Sequence, residues 1–326
     1  MTAPVRLAIS LGDPGGVGPE TAARAIVAMA DSPLEFELHC SRSLFSESCS
    51  RFRWAGEILA LADSGGKIEF TGAPDFAGKA PAGRPTPRGG VFAYESFLSA
   101  MRSVVDGNAD ALVTMPLSKA GVESSGVDFR GHTEVLRDTT GASRVVMMLQ
   151  AGDLRVVPLT RHVALREVPY LITEELIRES VEIIAGHLGK FEKMDNPAIA
   201  IMGLNPHCGE DGLFGDEEKQ ITRAVESLRT GGYNITGPLV PDTALIPANL
   251  RRFDVFVGMY HDQVLVPLKM GGFDRSVNAT LGLPIIRTSP GHGTAYDIAG
   301  SECVSETSAL EAMKLAARWA KVSAEG

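Results

Sequence analysis

The sequence contains little cysteine and no excess of basic residues. Its four cysteines, Cys40, Cys49, Cys208 and Cys303, show no C-x-x-C spacing, which argues against a disulfide framework. Reduced thiols are typical of the cytoplasm, so we expect a cytoplasmic protein. The formal net charge is −9, which disfavours both a nucleic-acid backbone and an anionic membrane surface as a partner.

Long apolar segments and nucleotide fingerprints are also absent. No apolar run approaches the length that spans a bilayer, and residues 1–20 lack the basic segment and cleavage site of a signal peptide, so neither feature is expected. The patterns G-x-G-x-x-G and G-x-x-x-x-G-K-[ST] do not occur. No local motif therefore identifies a nucleotide or distinguishes NAD from NADP.

The pattern that is present is an alternation of strand-like and helix-like segments. Hydrophobic residues make up 44% of the 326 residues and charged residues 22%, which is typical of a globular protein with one large domain or two ordinary ones. The alternation predicts an α/β fold with a mainly parallel sheet flanked by helices. Gly18-Pro19-Glu20 should open the first helix, Thr173 should cap a later one, and segment 71–90 should form a long surface loop.

Three histidines lie in short turns punctuated by Gly or Pro. His162 lies in LTRHVALREVP, His207 in GLNPHCGEDG and His261 in MYHDQVLVPLK, and the last two follow apolar runs that we interpret as buried strands. Neutral imidazole is the commonest side-chain metal ligand, and Asp242 and Asp262 could complete or orient such a shell. Taken singly, each histidine is more often structural, and no pair has the spacing of H-E-x-x-H.

Other segments offer groups for anions. The turn GDPGGVGPE (12–20) is either a ligand cradle at a helix N-terminus or only a tight turn. Gly131-His132-Thr133-Glu134 brings an imidazole, a hydroxyl and a carboxylate together, although Thr133 as a plain helix cap is the simpler interpretation. Residues 288–294 should open a further helix and form another cradle. Cationic and amide groups for a phosphate or carboxylate are Lys269, Asn278 and Arg287.

Together these segments resemble the 4-hydroxythreonine-4-phosphate dehydrogenase (PdxA) family over almost the whole chain. The resemblance is carried, in the family's order, by GDPGGVGPE, MPLSKAGV, FRGHTEVL, RHVALREVP, GLNPHCGEDGLFGDEE, GPLVPDTAL, MYHDQ, VNATLGLPIIRTS and HGTAYDIAG. It implies two α/β domains with a cleft between them, like isocitrate and isopropylmalate dehydrogenases. The expected domains are 1–130 with 288–326, and 131–287. It also implies a homodimer with the active site at the interface.

The resemblance assigns roles to residues of this sequence. His162, His207 and His261 match the metal ligands, and Asp242 and Asp262 match acids near the metal that are candidate catalytic groups. The matching substrate contacts are His132, Thr133, Lys269, Asn278 and Arg287. Cofactor contacts are expected at Thr288, Ser289, His292, Gly293 and Thr294. The cofactors implied are NAD or NADP and one divalent metal, which could be Zn, Co, Mn, Ni or Mg.

The implied reaction is oxidation of 4-phosphooxy-L-threonine at C3, followed by decarboxylation to 3-amino-2-oxopropyl phosphate. Four departures from the family pattern keep an alternative open, namely 4-phospho-D-threonate or 4-phospho-D-erythronate as the substrate: the first turn GDPGGVGPE in place of the common GEPAGIGPE, Arg161, Val264 and Gly291. On chemistry alone, a metal-dependent lyase or hydrolase without nicotinamide also fits three histidines and nearby acids.

Overall fold

The computed structural model describes residues 4–49, 53–71, 83–301 and 303–325. The strands are β1 (Val5–Ser10), β2 (Leu34–Leu38), β3 (Ile68–Phe70), β4 (Ala111–Thr114), β5 (Val146–Ala151), β6 (Leu154–Pro158), β7 (Ile199–Met202), β8 (Ile235–Leu239), β9 (Val255–Gly258), β10 (Val277–Leu281) and β11 (Ile286–Pro290). The helices are α1 (Gly18–Ala28), α2 (Arg42–Cys49), α3 (Arg53–Asp63), α4 (Pro87–Val105), α5 (Lys119–Glu123), α6 (His132–Thr140), α7 (Val168–Leu171), α8 (Glu174–Glu192), α9 (Glu218–Thr230), α10 (Pro247–Leu250), α11 (His261–Gly272) and α12 (Thr307–Ala324). The predicted α/β fold is confirmed.

The chain divides into two compact units. The first comprises Met1–Ser143 with Leu283–Gly326, and the second comprises Arg144–Gly282. These boundaries differ from those expected at 130/131 and 287/288. The physical reason is that α6 packs on the core of the first unit through Leu136, beside Phe97 and Phe129, and that β11 pairs with β4.

The first unit contains a parallel sheet with the strand order β3-β2-β1-β4-β11. Ser10 at the end of β1 is in register with Thr114 at the end of β4, so both hydroxyls lie at the carboxyl edge of the sheet. Phe97 of α4 is completely buried against this sheet. The carboxyl edge of a parallel sheet is where α/β proteins place their ligands, and it is supported here by a rigid core.

The second unit contains a mixed sheet with the order β10-β5-β6-β9-β7-β8. Strands β5 and β6 form an antiparallel pair, and β10 runs antiparallel to β5. Strands β6, β9, β7 and β8 are mutually parallel neighbours. The carboxyl ends of β6, β9 and β7 therefore lie side by side.

Several local predictions can be compared with the backbone. Thr173 caps α8, because its Oγ1 accepts from the Leu176 N–H at 3.1 Å. Of the predicted loop 71–90, residues 72–82 lie outside the described residues. The expected loop is wrong at its end, since Thr86 caps α4 from Pro87 onward. In the described part of the chain, no helix combines the length and apolarity needed to cross a membrane.

Candidate functional site

The three histidine turns all follow the parallel strands of the second unit. His162 comes after β6, His207 after β7, and His261 begins α11 directly after β9. Their placement follows from the alternation of buried strands with polar turns, because adjacent parallel strands end at one edge of the sheet. The rings of His162 and His261 are in contact, with centroids 5.7 Å apart and planes inclined at 44°.

Carboxylates orient two of these rings. The His207 Nδ1 lies 2.6 Å from Glu210 Oε1, and the His261 Nδ1 lies 2.7 Å from Asp262 Oδ1. When Nδ1 is hydrogen-bonded to a carboxylate, the lone pair on Nε2 is left free, as it is in histidines that bind metals. Glu210, and to a lesser extent Asp242, raises the pKa of His207. Glu210 was not anticipated, although the motif HCGE places it three residues after His207.

The donor chemistry fits a divalent cation, whereas the geometry brings together only part of the predicted ligand set. Within residues 4–49, 53–71, 83–301 and 303–325, no three His, Cys, Asp or Glu side chains are placed to hold a metal ion. His162 and His261 form the pair that is brought together. Imidazole backed by carboxylate is a donor set suited to zinc and its neighbours in the first transition row.

The His207 turn has a strained backbone. Residues 207–211 all have positive φ, from 42° to 77°, and only Gly209 among them lacks a Cβ. The left-handed conformation costs roughly 1–2 kcal/mol for a residue with a side chain. Such strain is maintained only where surrounding contacts enforce it. His162 is also left-handed, with φ of 39°.

Polar side chains form hydrogen bonds between the strand ends that lead into the histidine turns. Thr160 donates its hydroxyl to the Met259 carbonyl at 2.7 Å. Gln263 accepts from the Met259 N–H at 2.6 Å and donates through Nε2 to the Gly203 carbonyl at 2.8 Å. Gln263 therefore connects the start of the His261 helix to the strand end that leads into the His207 turn. Sequence reasoning missed both residues, because neither titrates nor binds metals readily.

Val264, one of the departures from the family pattern, lies in the core of the second unit. It is completely buried, and a Cβ added to Gly258 would lie 2.4 Å from its Cγ1. Gly258 thus provides the space that this larger side chain needs. The departure is accommodated by packing, and the Val264 side chain does not extend into solvent.

The first unit holds a buried cation beside a half-buried imidazole. Arg287 of β11 is only 4% exposed and donates from Nη2 to Thr114 Oγ1 at 2.7 Å. Burial lowers the pKa of Arg287 to about 10, so the guanidinium remains charged at neutral pH. The ring of His132 meets Phe97 and Phe129 edge-on, with centroids 4.6 and 5.8 Å away.

His132 is held neutral in this setting. Burial, followed by the charges of Arg287 and Lys119, lowers its pKa well below the usual value. Its Nε2 is buried without a hydrogen-bond partner, which leaves that atom available to a ligand. The helix cap at α6 is Gly131, so the simpler interpretation of Thr133 as a cap is wrong, and Thr133 is half-buried in the first turn.

Lys119 is a cation that sequence reasoning left out of the site. A Cβ added to Gly131 would lie 3.5 Å from Lys119 Nζ, so the ammonium lies beside the start of α6. The available signal was the motif MPLSKAGV, which places Lys119 just beyond the carboxyl end of β4. Lys119, Arg287 and the backbone N–H groups at the start of α6 are donors suited to an anion, although the Glu134 carboxylate lies beside the same turn.

The turn GDPGGVGPE serves as a structural support. The Val17 N–H donates to the Thr294 carbonyl at 3.0 Å, and a Cβ on Gly16 would lie 2.6 Å from the same oxygen. Tyr296 donates its hydroxyl to Asp13 Oδ2 at 2.7 Å, and burial raises the pKa of that carboxyl. Of the two interpretations kept open, the tight turn is favoured, because the protein itself occupies the start of α1.

The segment 288–294 is a strand and a turn, and the expected helix there is wrong. Thr288 and Ser289 are buried in β11, where Thr288 donates its hydroxyl to the Ala312 carbonyl at 2.8 Å. Residues 291–294 form a turn that is held by contacts other than helix hydrogen bonds. The next helix, α12, starts only at Thr307. Gly291, another departure from the pattern, donates its N–H to Ser308 Oγ at 3.0 Å. His292 donates from Nδ1 to the Gly293 carbonyl, and its Nε2 is buried without a partner.

The remaining predicted substrate residues lie in the second unit. Lys269 is on α11, with Nζ 5.7 Å from the centroid of the Phe273 ring. Asn278 is on β10, and its Oδ1 is buried without a hydrogen-bond partner. The second unit therefore contributes a cation and an unsatisfied amide in addition to the histidines.

The family model for the pyridoxal phosphate biosynthetic protein PdxA matches residues 40–316. The chain belongs to the PdxA family. It is 40% identical to a 4-hydroxythreonine-4-phosphate dehydrogenase of Geobacter metallireducens, and the match covers 98% of this chain and 97% of the relative. The PdxA resemblance found in the sequence is thereby confirmed.

Solved structures extend the PdxA comparison. That of 4-hydroxythreonine-4-phosphate dehydrogenase from Klebsiella pneumoniae matches with a TM-score of 0.79 and 29% identity, covering 97% of this chain and 99% of that one. A terephthalate 1,2-cis-dihydrodiol dehydrogenase from Burkholderia xenovorans matches with a TM-score of 0.65 and 26% identity, covering 96% and 98%. Dehydrogenases with chemically different substrates thus resemble this PdxA-family chain in fold.

Proposed function

We propose that the chain is a 4-hydroxythreonine-4-phosphate dehydrogenase. It oxidises the C3 hydroxyl of 4-phosphooxy-L-threonine with NAD or NADP and a divalent metal, and the β-keto acid then loses carbon dioxide to give 3-amino-2-oxopropyl phosphate. The observation that carries the proposal is the buried Arg287 beside a neutral His132, in a chain of the PdxA family. A doubly charged phosphate ester needs a fixed cation of this kind.

The cations and amides hold the two anionic ends of the substrate. Arg287 offers a planar fork that is already ordered by Thr114, and Lys119 and Lys269 add point charges. His132 offers the buried Nε2, while Thr133 and Asn278 complete the polar contacts. Fixing both ends of a substrate places C3 for reaction, and such positioning contributes several kcal/mol, up to about 10 in favourable cases.

His162, His207 and His261 would hold the metal, with Glu210 and Asp262 orienting two of the rings from behind. Held by these residues, a divalent metal would supply Lewis-acid chemistry, making the C3 hydroxyl more acidic and stabilising negative charge on its oxygen. Both carboxylates are exposed, but Asp262 already accepts from His261, so Asp242 is the one of the two that would accept the hydroxyl proton.

The nicotinamide cofactor supplies the hydride acceptor, which no side chain can provide. We propose that the turn at His292, Gly293 and Thr294 contacts it, because this turn is ordered by Val17 and Tyr296 rather than by helix formation. Thr288 and Ser289 support the turn from β11, where they are buried.

We further propose a cytoplasmic homodimer. Large apolar side chains are exposed on the second unit around the histidine turns and on α11, including Tyr170 at 82% and Met270 at 84% exposure. Others are Val163, Leu165, Leu213, Phe214, Val266 and Phe273. Exposed large apolar side chains that lie together are typical of protein interfaces, which is why we propose an interface here. Sedimentation velocity would test the dimer.

One assay tests the proposed reaction. Reduction of NAD or NADP is followed at the nicotinamide absorbance band with 4-phosphooxy-L-threonine, 4-phospho-D-threonate and 4-phospho-D-erythronate, each with and without a chelator. Metal-dependent reduction with the first substrate supports the proposal. Reduction with only the second or third would assign the chain to the related hydroxy acids. Consumption of any of them without nicotinamide would indicate a lyase or hydrolase.

A further inference from the structure

Glu218, the first residue of α9, lies beneath the strained turn that carries His207. Its Oε1 accepts two backbone N–H groups, from Leu204 at 2.9 Å and from Asn205 at 2.7 Å. Its Oε2 accepts from the Asn205 side-chain amide at 2.9 Å. Glu218 is only 7% exposed. A buried carboxylate with three hydrogen bonds is a rigid anchor, because leaving any of these groups unpaired would carry a desolvation cost.

The same carboxylate also contacts the middle of the turn. A Cβ added to Gly209 would lie 2.9 Å from Glu218 Oε2, so only glycine leaves room for the carboxylate there. Asn205 extends the contact, since its amide donates to Glu217 Oε2 at 2.8 Å and lies against Gly215. Glu218 therefore touches the turn both before His207 and after it.

The residues with side chains in this turn do not favour the left-handed conformation that they adopt. His207 and Cys208 are left-handed, with φ of 52° and 55°, and so are Glu210 and Asp211. A left-handed run with several side chains is not selected by its own backbone energy, so it depends on contacts from outside the run. Among the described residues, the Glu218 carboxylate is a buried charged group that contacts both flanks.

We propose that Glu218 is a positioning residue that sets the backbone of the His207 turn and thereby aims the His207 imidazole. This rests on the proposed function for its metal, although the conformational part does not require one. Glu218 acts through the backbone of residues 204–209, whereas Glu210 and Asp262 act directly on imidazole rings. The proposal therefore adds a residue of a different kind to the site.

The test compares Glu218→Ala and Glu218→Gln with Glu226→Gln, an exposed glutamate on the same helix. Metal-free protein is titrated with Co²⁺, whose visible spectrum reports ligand geometry, and amide exchange of residues 204–211 is measured separately. In Glu218→Ala we expect Co²⁺ affinity to fall roughly 10- to 100-fold, as for other residues that orient metal ligands, with an altered spectrum and faster exchange. Glu218→Gln keeps the two backbone bonds and should lose roughly threefold to tenfold.

The outcomes separate the inference from the function on which it rests. If wild-type protein binds no Co²⁺, the metal part of the proposed function fails, and amide exchange alone decides the role of Glu218. Unchanged exchange at 204–211, or Co²⁺ affinity within about twofold of wild type in Glu218→Ala, overturns the inference. Should Glu218→Ala not fold, Glu218→Gln is judged by the same two measurements. Glu226→Gln should match wild type throughout.

Discussion

The two units place their functional groups in opposite physical settings. In the first unit, Arg287 is 4% exposed and His132 is kept neutral by burial and by neighbouring charge. In the second unit, the His207 side chain is 60% exposed, and the pKa of this histidine is raised by Glu210. In the first unit burial lowers the pKa of both Arg287 and His132, whereas in the second unit a neighbouring carboxylate raises the pKa of His207.

This difference indicates a division of labour. A buried, preordered cation recognises an anion without rearrangement, since its orientation is set before binding. Exposed histidines on strained turns can exchange water and protons for a metal, because their ring nitrogens are accessible. We therefore predict that changes at the histidine turns act on metal and turnover, and that changes at Arg287 and His132 act on substrate binding and pH response.

The largest effect should come from the second unit. His261→Ala removes the ring that contacts His162 and is backed by Asp262, so bound metal and turnover should both fall to background. Metal content by elemental analysis and NAD reduction measure this, and circular dichroism checks folding. Normal turnover by metal-free His261→Ala would remove the metal role.

Arg287→Ala should give the next largest effect. Loss of a buried charged donor should raise KM for the phosphorylated substrate roughly 100-fold or more, with a smaller change in kcat. Wild-type substrate affinity should also weaken as the pH rises through about 10, where Arg287 loses its proton. Arg102→Ala, an exposed arginine of the same unit, is the matched control. A KM equal to that of wild type would exclude Arg287 from the anion site.

Much of the fold followed from the sequence, whereas the site followed only in part. Strands β7 and β9 were recognisable as apolar runs, since burial selects their residues one by one. Glu218 and Gln263 were not recognisable, because their roles depend on backbone groups of strands far away in the chain. The prediction of a helix start at 288–294 was wrong, because Pro and Gly occur in many kinds of turn. The turn that forms there is held by hydrogen bonds with Ser308 and Val17, which the local sequence does not reveal.

A pH experiment sharpens the contrast between the units. The pKa of His132 is lowered in the folded chain, so the unfolded chain takes up a proton below its own pKa of about 6.5 while the folded chain does not. Stability contributed by neutral His132 is therefore present above that pH and lost as the pH falls, by about 1.4 kcal/mol per pH unit.

His132→Gln should remove this share of the acid sensitivity. Urea unfolding at about pH 7 and about pH 5.5 measures the free energy of unfolding of both proteins, and the variant should lose about 1 kcal/mol less than wild type between them. The half-buried His187, whose pKa is lowered to about 3, causes the same loss of stability in both proteins, so its contribution cancels in the difference. Equal losses in the two proteins would show that His132 is protonated when folded.

The smallest effect should come from the support of the 294–296 segment. Tyr296→Phe removes the hydrogen bond to the buried Asp13 and leaves that carboxylate with the Gly15 N–H. Because Thr294 is also held by the Val17 N–H, the turn should loosen without unfolding, and KM for NAD should rise about fivefold, equivalent to roughly 1 kcal/mol. Tyr233→Phe in the second unit is the control. If KM for the phosphorylated substrate rises instead, the 294–296 segment serves substrate binding. The first unit would then bind the substrate's anionic groups and not the nicotinamide cofactor.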